Sequence, residues 1–167
     1  MIRPLLAGLL AIALSVVIET LALTELSRGM VGPVLAVVMM AVILGPMVEE
    51  ASKRLFAEIL RAPWGATGLV FGLYEGWSKL ESPLFAQPAA LLGGLASVAF
   101  HWGLGRLSWP GRWQMGTVIL CHAGYNGLSV AAQSKLGDVS AWLTAGVAFA
   151  LLAISFAKST PRATTGH

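Results

Sequence analysis

The chain has 167 residues, of which 56% are hydrophobic and only 11% charged, and its mean hydropathy is +0.76. Soluble domains carry about 25% charged residues, and a fold of this length cannot hide so much apolar surface from water. The composition therefore excludes an ordinary soluble domain and predicts an all-α protein embedded in the lipid bilayer. The net charge of +3 is small and the basic residues form no long stripe, so no nucleic-acid partner is expected. Cys121 is the only cysteine, which excludes an internal disulfide.

Six stretches are apolar enough to be transmembrane helices, which need about 20 mostly apolar residues each. In chain order they are Leu5 to Leu23, Val31 to Val48, about Gly65 to Trp77, Ala86 to Leu104, Gln114 to Val130 and Ser140 to Ala157. Charges, prolines or glycine clusters separate neighbouring stretches. We expect a polytopic bundle of about six helices forming one domain over residues 1–158, followed by a flexible cytosolic tail over residues 159–167.

The first stretch follows Arg3 and so also has the pattern of a signal peptide. No clean Ala-x-Ala cleavage site follows before Thr24, and the apolar run is long. We therefore expect a retained helix, with cleavage as the alternative.

The basic residues are distributed unevenly between the two sides of such a bundle. With the N-terminus inside, eight lie on the cytosolic side and three outside. The inner group is Arg3, Lys53, Arg54, Arg61, Arg106, Arg112, Lys158 and Arg162, and the outer group is Arg28, Lys79 and Lys135. This asymmetry predicts that both termini are cytosolic. The lack of a targeting signal favours a bacterial or archaeal inner membrane.

Several ionisable residues fall inside the predicted spans, where each costs about 2.5 to 3.5 kcal/mol at the centre of a helix and usually marks function. They are Glu19, Glu49, Glu50, Glu75, His101 and His122, with Asn126 as a polar neighbour. Glu19 lies near the outer end of the first helix, so we expect its side chain to reach the interface.

Glu49 and Glu50 are predicted to end the second helix at the cytosolic side. Each has a basic residue four positions later, Lys53 and Arg54 respectively, which is a favourable spacing for ion pairs on a helix. One interpretation is therefore an interfacial helix end with two surface ion pairs. The other is a functional acidic pair.

Glu75 favours the functional interpretation, because it lies about ten residues into a short helix and so near the middle of the bilayer. His101 and His122 fall in the inner half of the bilayer, on the same side as the two glutamates. His122 and Asn126 are four residues apart and share a helix face. We therefore expect these side chains to converge.

The residue types narrow the chemistry. A pair of intramembrane aspartates is excluded, because the one aspartate, Asp138, lies in a loop. A serine nucleophile with a histidine on a later helix is not available, and neither His101 nor His122 belongs to a His-Glu-x-x-His motif. A glutamate base that takes a proton from water, with histidine and asparagine as supporting groups, has every ingredient present.

In order and spacing these residues resemble the PrsW-type intramembrane proteases, within the superfamily of the CPBP proteins and the CAAX prenyl endopeptidases. The matching motifs, over about residues 45–126, are Glu49-Glu50-x-x-Lys53-Arg54, Phe71-x-x-x-Glu75, His101 and His122-x-x-x-Asn126. The resemblance implies that Glu49 or Glu50 activates a water and that His122 and Asn126 bind and polarise the scissile carbonyl. It implies that His101 completes the site and that Glu75 belongs to the PrsW branch.

One position departs from the family pattern. Gly76 stands where PrsW-like chains often carry asparagine, which leaves the role of Glu75 open.

The predicted activity is an intramembrane endopeptidase that cleaves a membrane-associated protein near the cytosolic face. We expect no metal, with a divalent ion such as zinc as the alternative, held by His101, His122 and Glu75. A small proton-coupled transporter is a second hypothesis, because intramembrane glutamates and histidines also form proton relays. A non-catalytic scaffold of the same fold is a third.

Overall fold

The computed structural model describes residues 2–29, 32–81, 87–108 and 113–157, and all regular structure in these ranges is helical. The six long helices are α1 (Ile2–Arg28), α2 (Pro33–Ile59), α3 (Trp64–Leu80), α4 (Gln87–Leu107), α5 (Met115–Leu136) and α6 (Ser140–Ala157). A short 3₁₀ turn, Gly137–Val139, joins α5 to α6. The predicted tail over residues 159–167 lies outside the described residues.

Each of the six predicted stretches corresponds to one helix, and α6 has the predicted bounds. The prediction was wrong about where α2 ends: it runs on past Val48 to Ile59. A π-helical segment, Met40–Leu44, lies in its middle, directly before Pro46. The wider turn accommodates a proline that would otherwise break a helix of this length, because proline has no backbone N–H to donate.

The surface of the molecule is apolar. Three helical runs in the described part of the chain are long and apolar enough to cross a membrane, by length and composition: Ile2–Arg28, Pro33–Ile59 and Met115–Ala157. Large apolar side chains stay exposed on the helices, such as Val34 at 78% and Leu120 at 74%. The buried apolar residues in the same ranges are mostly alanines. Small residues inside and large apolar ones outside are compatible with a membrane protein.

Glycines let α3 and α4 approach to backbone contact. A Cβ added at Gly72 would lie 2.9 Å from the Ser97 carbonyl oxygen and 2.9 Å from Val98 Cα. One added at Gly76 would lie 2.8 Å from the Gly94 carbonyl oxygen. This explains the departure at Gly76, because an asparagine side chain would have no room between the two helices. The close approach aligns Glu75 on α3 with the polar face of α4.

Two groups of buried residues hold the remaining helices. Phe100, Leu104, Val118 and Tyr125 belong to a cluster between α4, α5 and α6. A second cluster centred on Phe71 packs α1 against α3. Together they enclose the polar residues of α2, α3, α4 and α5.

Candidate active site

The acidic pair lies within α2 rather than at its end. Glu49, Glu50 and Lys53 are 7%, 5% and 7% exposed, so all three charged side chains are buried. The interpretation of an interfacial helix end with surface ion pairs is therefore wrong. Lys53 also does not belong to a cytosolic loop, and one of the eight residues in the inner charge count is lost.

The ion pairs differ from the predicted ones. Lys53 serves both glutamates, with its Nζ 2.5 Å from Glu50 Oε1 and 3.6 Å from Glu49 Oε2. The predicted Glu50–Arg54 pair is absent, because Arg54 lies 2.8 Å from Glu58 on the exposed face of α2. Residue 54 lies a further 100° around the helix, and this rotation points its side chain away from the buried face.

Glu75 and His101 meet across the α3–α4 interface. The His101 Nε2 atom lies 2.9 Å from Glu75 Oε2, and Ser97 donates to the same oxygen at 3.1 Å. Lys79 Nζ lies 3.7 Å from this oxygen and donates a hydrogen bond to Ser97 Oγ. Sequence reasoning missed both Ser97 and Lys79. The available signal was spacing, since each lies four residues from His101 or Glu75 on its own helix.

His101 connects the two acidic groups. Its Nδ1 lies 2.9 Å from Lys53 Nζ, and its Nε2 contacts Glu75. An ammonium group only donates, so Nδ1 accepts and Nε2–H donates, which assigns the neutral imidazole tautomer. The ring is therefore fixed at both nitrogens.

His122 approaches both glutamates from α5. Its Nδ1 lies 2.8 Å from Glu50 Oε1, and its Nε2 lies 3.8 Å from Glu49 Oε2. Because Nδ1–H donates to Glu50, Nε2 carries a lone pair toward Glu49. The His101 and His122 rings lie edge to face with centroids 4.9 Å apart.

The second carboxylate oxygen of Glu49 is buried and has no hydrogen-bond partner among the described residues. Buried polar atoms are rarely left without a partner, and an exception calls for a functional or solvent explanation. This oxygen faces the free Nε2 of His122 across the 3.8 Å gap. Two acceptors at this separation are suited to a group that donates twice, such as a water molecule.

Asn126 does not point a free amide at this gap. Its Nδ2 donates to the Ala41 carbonyl oxygen at 2.8 Å, within the π-helical segment of α2. The N–H of Gly45 bonds to the carbonyl of Met40, and Pro46 has no N–H, so the Ala41 carbonyl lacks its usual helical donors. Asn126 supplies that donor and fixes α5 against α2 just before the two glutamates.

Replacing Asn126 with alanine is expected to leave the Ala41 carbonyl unpaired and to lower the free energy of unfolding by about 1 to 3 kcal/mol. Unfolding in detergent measures this change. Ser129→Ala is the matched control, one turn further along α5, because the Ser129 hydroxyl bonds only to the Tyr125 carbonyl of its own helix. Equal losses in the two variants would contradict the assigned role.

Four of the side chains form a possible cation site. One donor atom from each of Glu49, Glu50, His101 and His122 lies within 4.8 Å of the others, and all four residues are buried. This set differs from the predicted ligands His101, His122 and Glu75. Glu75 lies on the far side of the His101 ring, where it contacts Nε2. Whether a metal is required stays untested.

Glu19 does not reach outward as expected. It is partly buried, and one of its carboxylate oxygens has no hydrogen-bond partner in the described part of the chain.

A cavity of about 390 Å³ lies between α3, α4, α5 and α6. Its walls are mainly apolar, and Lys79 and Tyr125 are among the residues that line it. The Tyr125 ring stacks on Phe100 with centroids 4.0 Å apart, and Phe100 lies 5.3 Å from the His122 ring. One layer of aromatic rings therefore separates the cavity from the histidines.

Comparisons with protein-family models, curated proteins and solved structures give no match. The resemblance to PrsW-type proteases therefore rests on the motifs alone and stays a prediction.

Proposed function

We propose that the chain is a membrane-embedded endopeptidase of the glutamate type. The observation that carries the proposal is the buried, unpaired oxygen of Glu49 facing the free Nε2 of His122. A base must come within direct or one-water reach of its target, and this gap provides that geometry.

Glu49 is the base in this proposal, which separates the roles of the two adjacent glutamates. A water in the gap donates one hydrogen to Glu49 and the other to His122. As its oxygen attacks the scissile carbonyl, its proton passes to Glu49. The same proton then passes to the departing amine, so the carboxylate is restored when the C–N bond breaks.

Glu50 has a different task because both of its neighbours already bind it. It accepts from Lys53 and from His122 Nδ1, which fixes the imidazole so that Nε2 faces Glu49. Lys53 has a positive charge 3.6 Å from Glu49 Oε2. Such a charge in a buried site stabilises the oxyanion that develops in the transition state.

Glu75 and Asn126 act through other residues. Glu75 orients His101, which in turn holds Lys53. Asn126 uses one N–H of its amide on the Ala41 carbonyl, so its proposed role is to position α5. This replaces the direct contact with the scissile carbonyl that the family resemblance implies.

The proposed substrate is a membrane-bound protein with apolar residues beside the scissile bond. The apolar walls of the cavity suit such residues, and the Phe100–Tyr125 pair places them next to His122. In keeping with this, we propose that all six helices cross a bacterial or archaeal inner membrane with both termini cytosolic. The exposed apolar side chains on the helices support this placement.

The proposal is tested by mapping new protein N-termini in cells that express the wild-type chain, Glu49→Gln or Arg54→Met. Wild type and Arg54→Met are expected to produce the same new termini, next to or within membrane segments of host proteins. Arg54 is a suitable control because it is exposed and paired with Glu58. If Glu49→Gln produces the same termini as wild type, the proposal is wrong.

A proton-coupled transporter is the second candidate, favoured by one observation. Contacts of 2.5 to 2.9 Å join Glu75, His101, Lys53, Glu50 and His122 into one connected chain. Such chains can relay protons. In proteoliposomes, proton flux that disappears with Glu75→Gln would favour this candidate, and the absence of flux in wild type would eliminate it.

A further inference from the structure

The four buried donors described above have the composition of a divalent metal site. Two carboxylates and two imidazoles are ligands that zinc accepts, and one atom from each lies within 4.8 Å of the rest. Glu75 adds a further feature of such sites, because a metal-binding histidine usually donates its other N–H to a carboxylate. Here His101 makes that contact with Glu75 at 2.9 Å.

The space among these donors already contains a cation. Lys53 Nζ lies 2.5 Å from Glu50 Oε1, 2.9 Å from His101 Nδ1 and 3.6 Å from Glu49 Oε2. The ammonium also lies 4.1 Å from the centre of the Phe71 ring, which favours a positive charge there. Three of the four donor residues are thus in contact with one ammonium group.

We propose that the Lys53 ammonium is the resident cation of this site and keeps divalent metals out of it. A metal ion would need His101 Nδ1 and Glu50 Oε1 as ligands, and both atoms are bonded to Lys53. It would also bring two positive charges next to a buried ammonium. Removing that ammonium frees both ligands and leaves the carboxylates without a counter-charge, which turns the site into one that attracts a metal.

This inference goes beyond the peptidase proposal, because its readout is bound metal rather than cleavage. Wild type, Lys53→Met and Arg54→Met are purified, stripped with a chelator and exposed to Zn²⁺ or Co²⁺. We expect one tightly held ion per chain in Lys53→Met and no stoichiometric ion in the other two. Arg54→Met removes the same charge one residue away, on the exposed face of α2.

The ligands are identified with Co²⁺, whose visible absorption reports coordination by protein groups. Lys53→Met is expected to show this absorption, and adding His122→Ala is expected to weaken or remove it. One Zn²⁺ per chain in wild type would overturn the proposal. So would a Lys53→Met variant that binds no more metal than Arg54→Met.

A second variant covers the case in which Lys53→Met does not fold. Lys53→Met with Glu49→Gln removes one positive and one negative charge, so the formal charge of the site matches wild type. Glu50, His101 and His122 remain, and three protein ligands suffice for many zinc sites. We expect this variant to bind one Zn²⁺ and to gain thermal stability from it, and a folded variant without either effect would contradict the inference.

Discussion

Glu49→Gln is expected to lower peptide cleavage by about 10² to 10⁴-fold, the usual contribution of a general base, while the protein stays folded. Glutamine has nearly the same shape as glutamate but cannot accept a proton from water. The oxygen that it replaces has no hydrogen-bond partner, so few contacts are lost. Initial cleavage rates, measured on a substrate identified from the new N-termini, test the expected loss.

Glu50→Gln is the matched comparison, one residue away on the same helix. It weakens two hydrogen bonds, to Lys53 and His122, and bonds that involve charged groups contribute about 1.5 to 3 kcal/mol each. We therefore expect Glu50→Gln to lower both the free energy of unfolding and the cleavage rate. If Glu50→Gln stays stable while losing all activity and Glu49→Gln stays active, the two roles are reversed.

Gly72→Ala is expected to destabilise the protein by about 1 to 3 kcal/mol, as overpacking of a close interface does, and to abolish cleavage as well. The added Cβ would meet the backbone of α4 at 2.9 Å, so α3 and α4 must separate. That movement pulls Glu75 away from His101, whose contact across this interface is 2.9 Å. Unfolding and cleavage measured on the same preparation test both effects.

Gly146→Ala is the control, because a Cβ at this position of α6 meets no atom within 4 Å. Alanine is a better helix former than glycine, so this change is expected to stabilise the protein by up to about 1 kcal/mol. The two glycine substitutions should therefore have opposite signs. A stable, active Gly72→Ala would show that the close helix approach does not position the site.

The helices were largely predictable from the sequence because long apolar runs in a chain this hydrophobic have one economical conformation. The end of α2 was not, because the signs of a helix end were present: a proline at position 46 and a change from apolar to charged residues after Val48. The π-helical segment changes the outcome by accommodating that proline. Whether it forms depends on Asn126, a residue more than 80 positions away.

The residues of the candidate site were also predicted, but their contacts were not. Spacing along α2 allowed Glu50 to pair with Lys53 or Arg54, and only the burial of one face decides between them. The contact between His122 and Glu50 depends on how α5 is placed along α2. That placement is set by tertiary packing, which leaves no periodic signal in either helix.

The central claim is that Glu49 activates a water molecule, and single-turnover cleavage in water enriched in the heavy oxygen isotope tests it most directly. The purified protein is mixed with less than one equivalent of substrate, and the products and the peptide that contains Glu49 are weighed by mass spectrometry. Heavy oxygen is expected in the new carboxylate of the product and not in Glu49. Heavy oxygen in the Glu49 side chain would instead show that the carboxylate attacks the peptide bond itself, which would contradict this account.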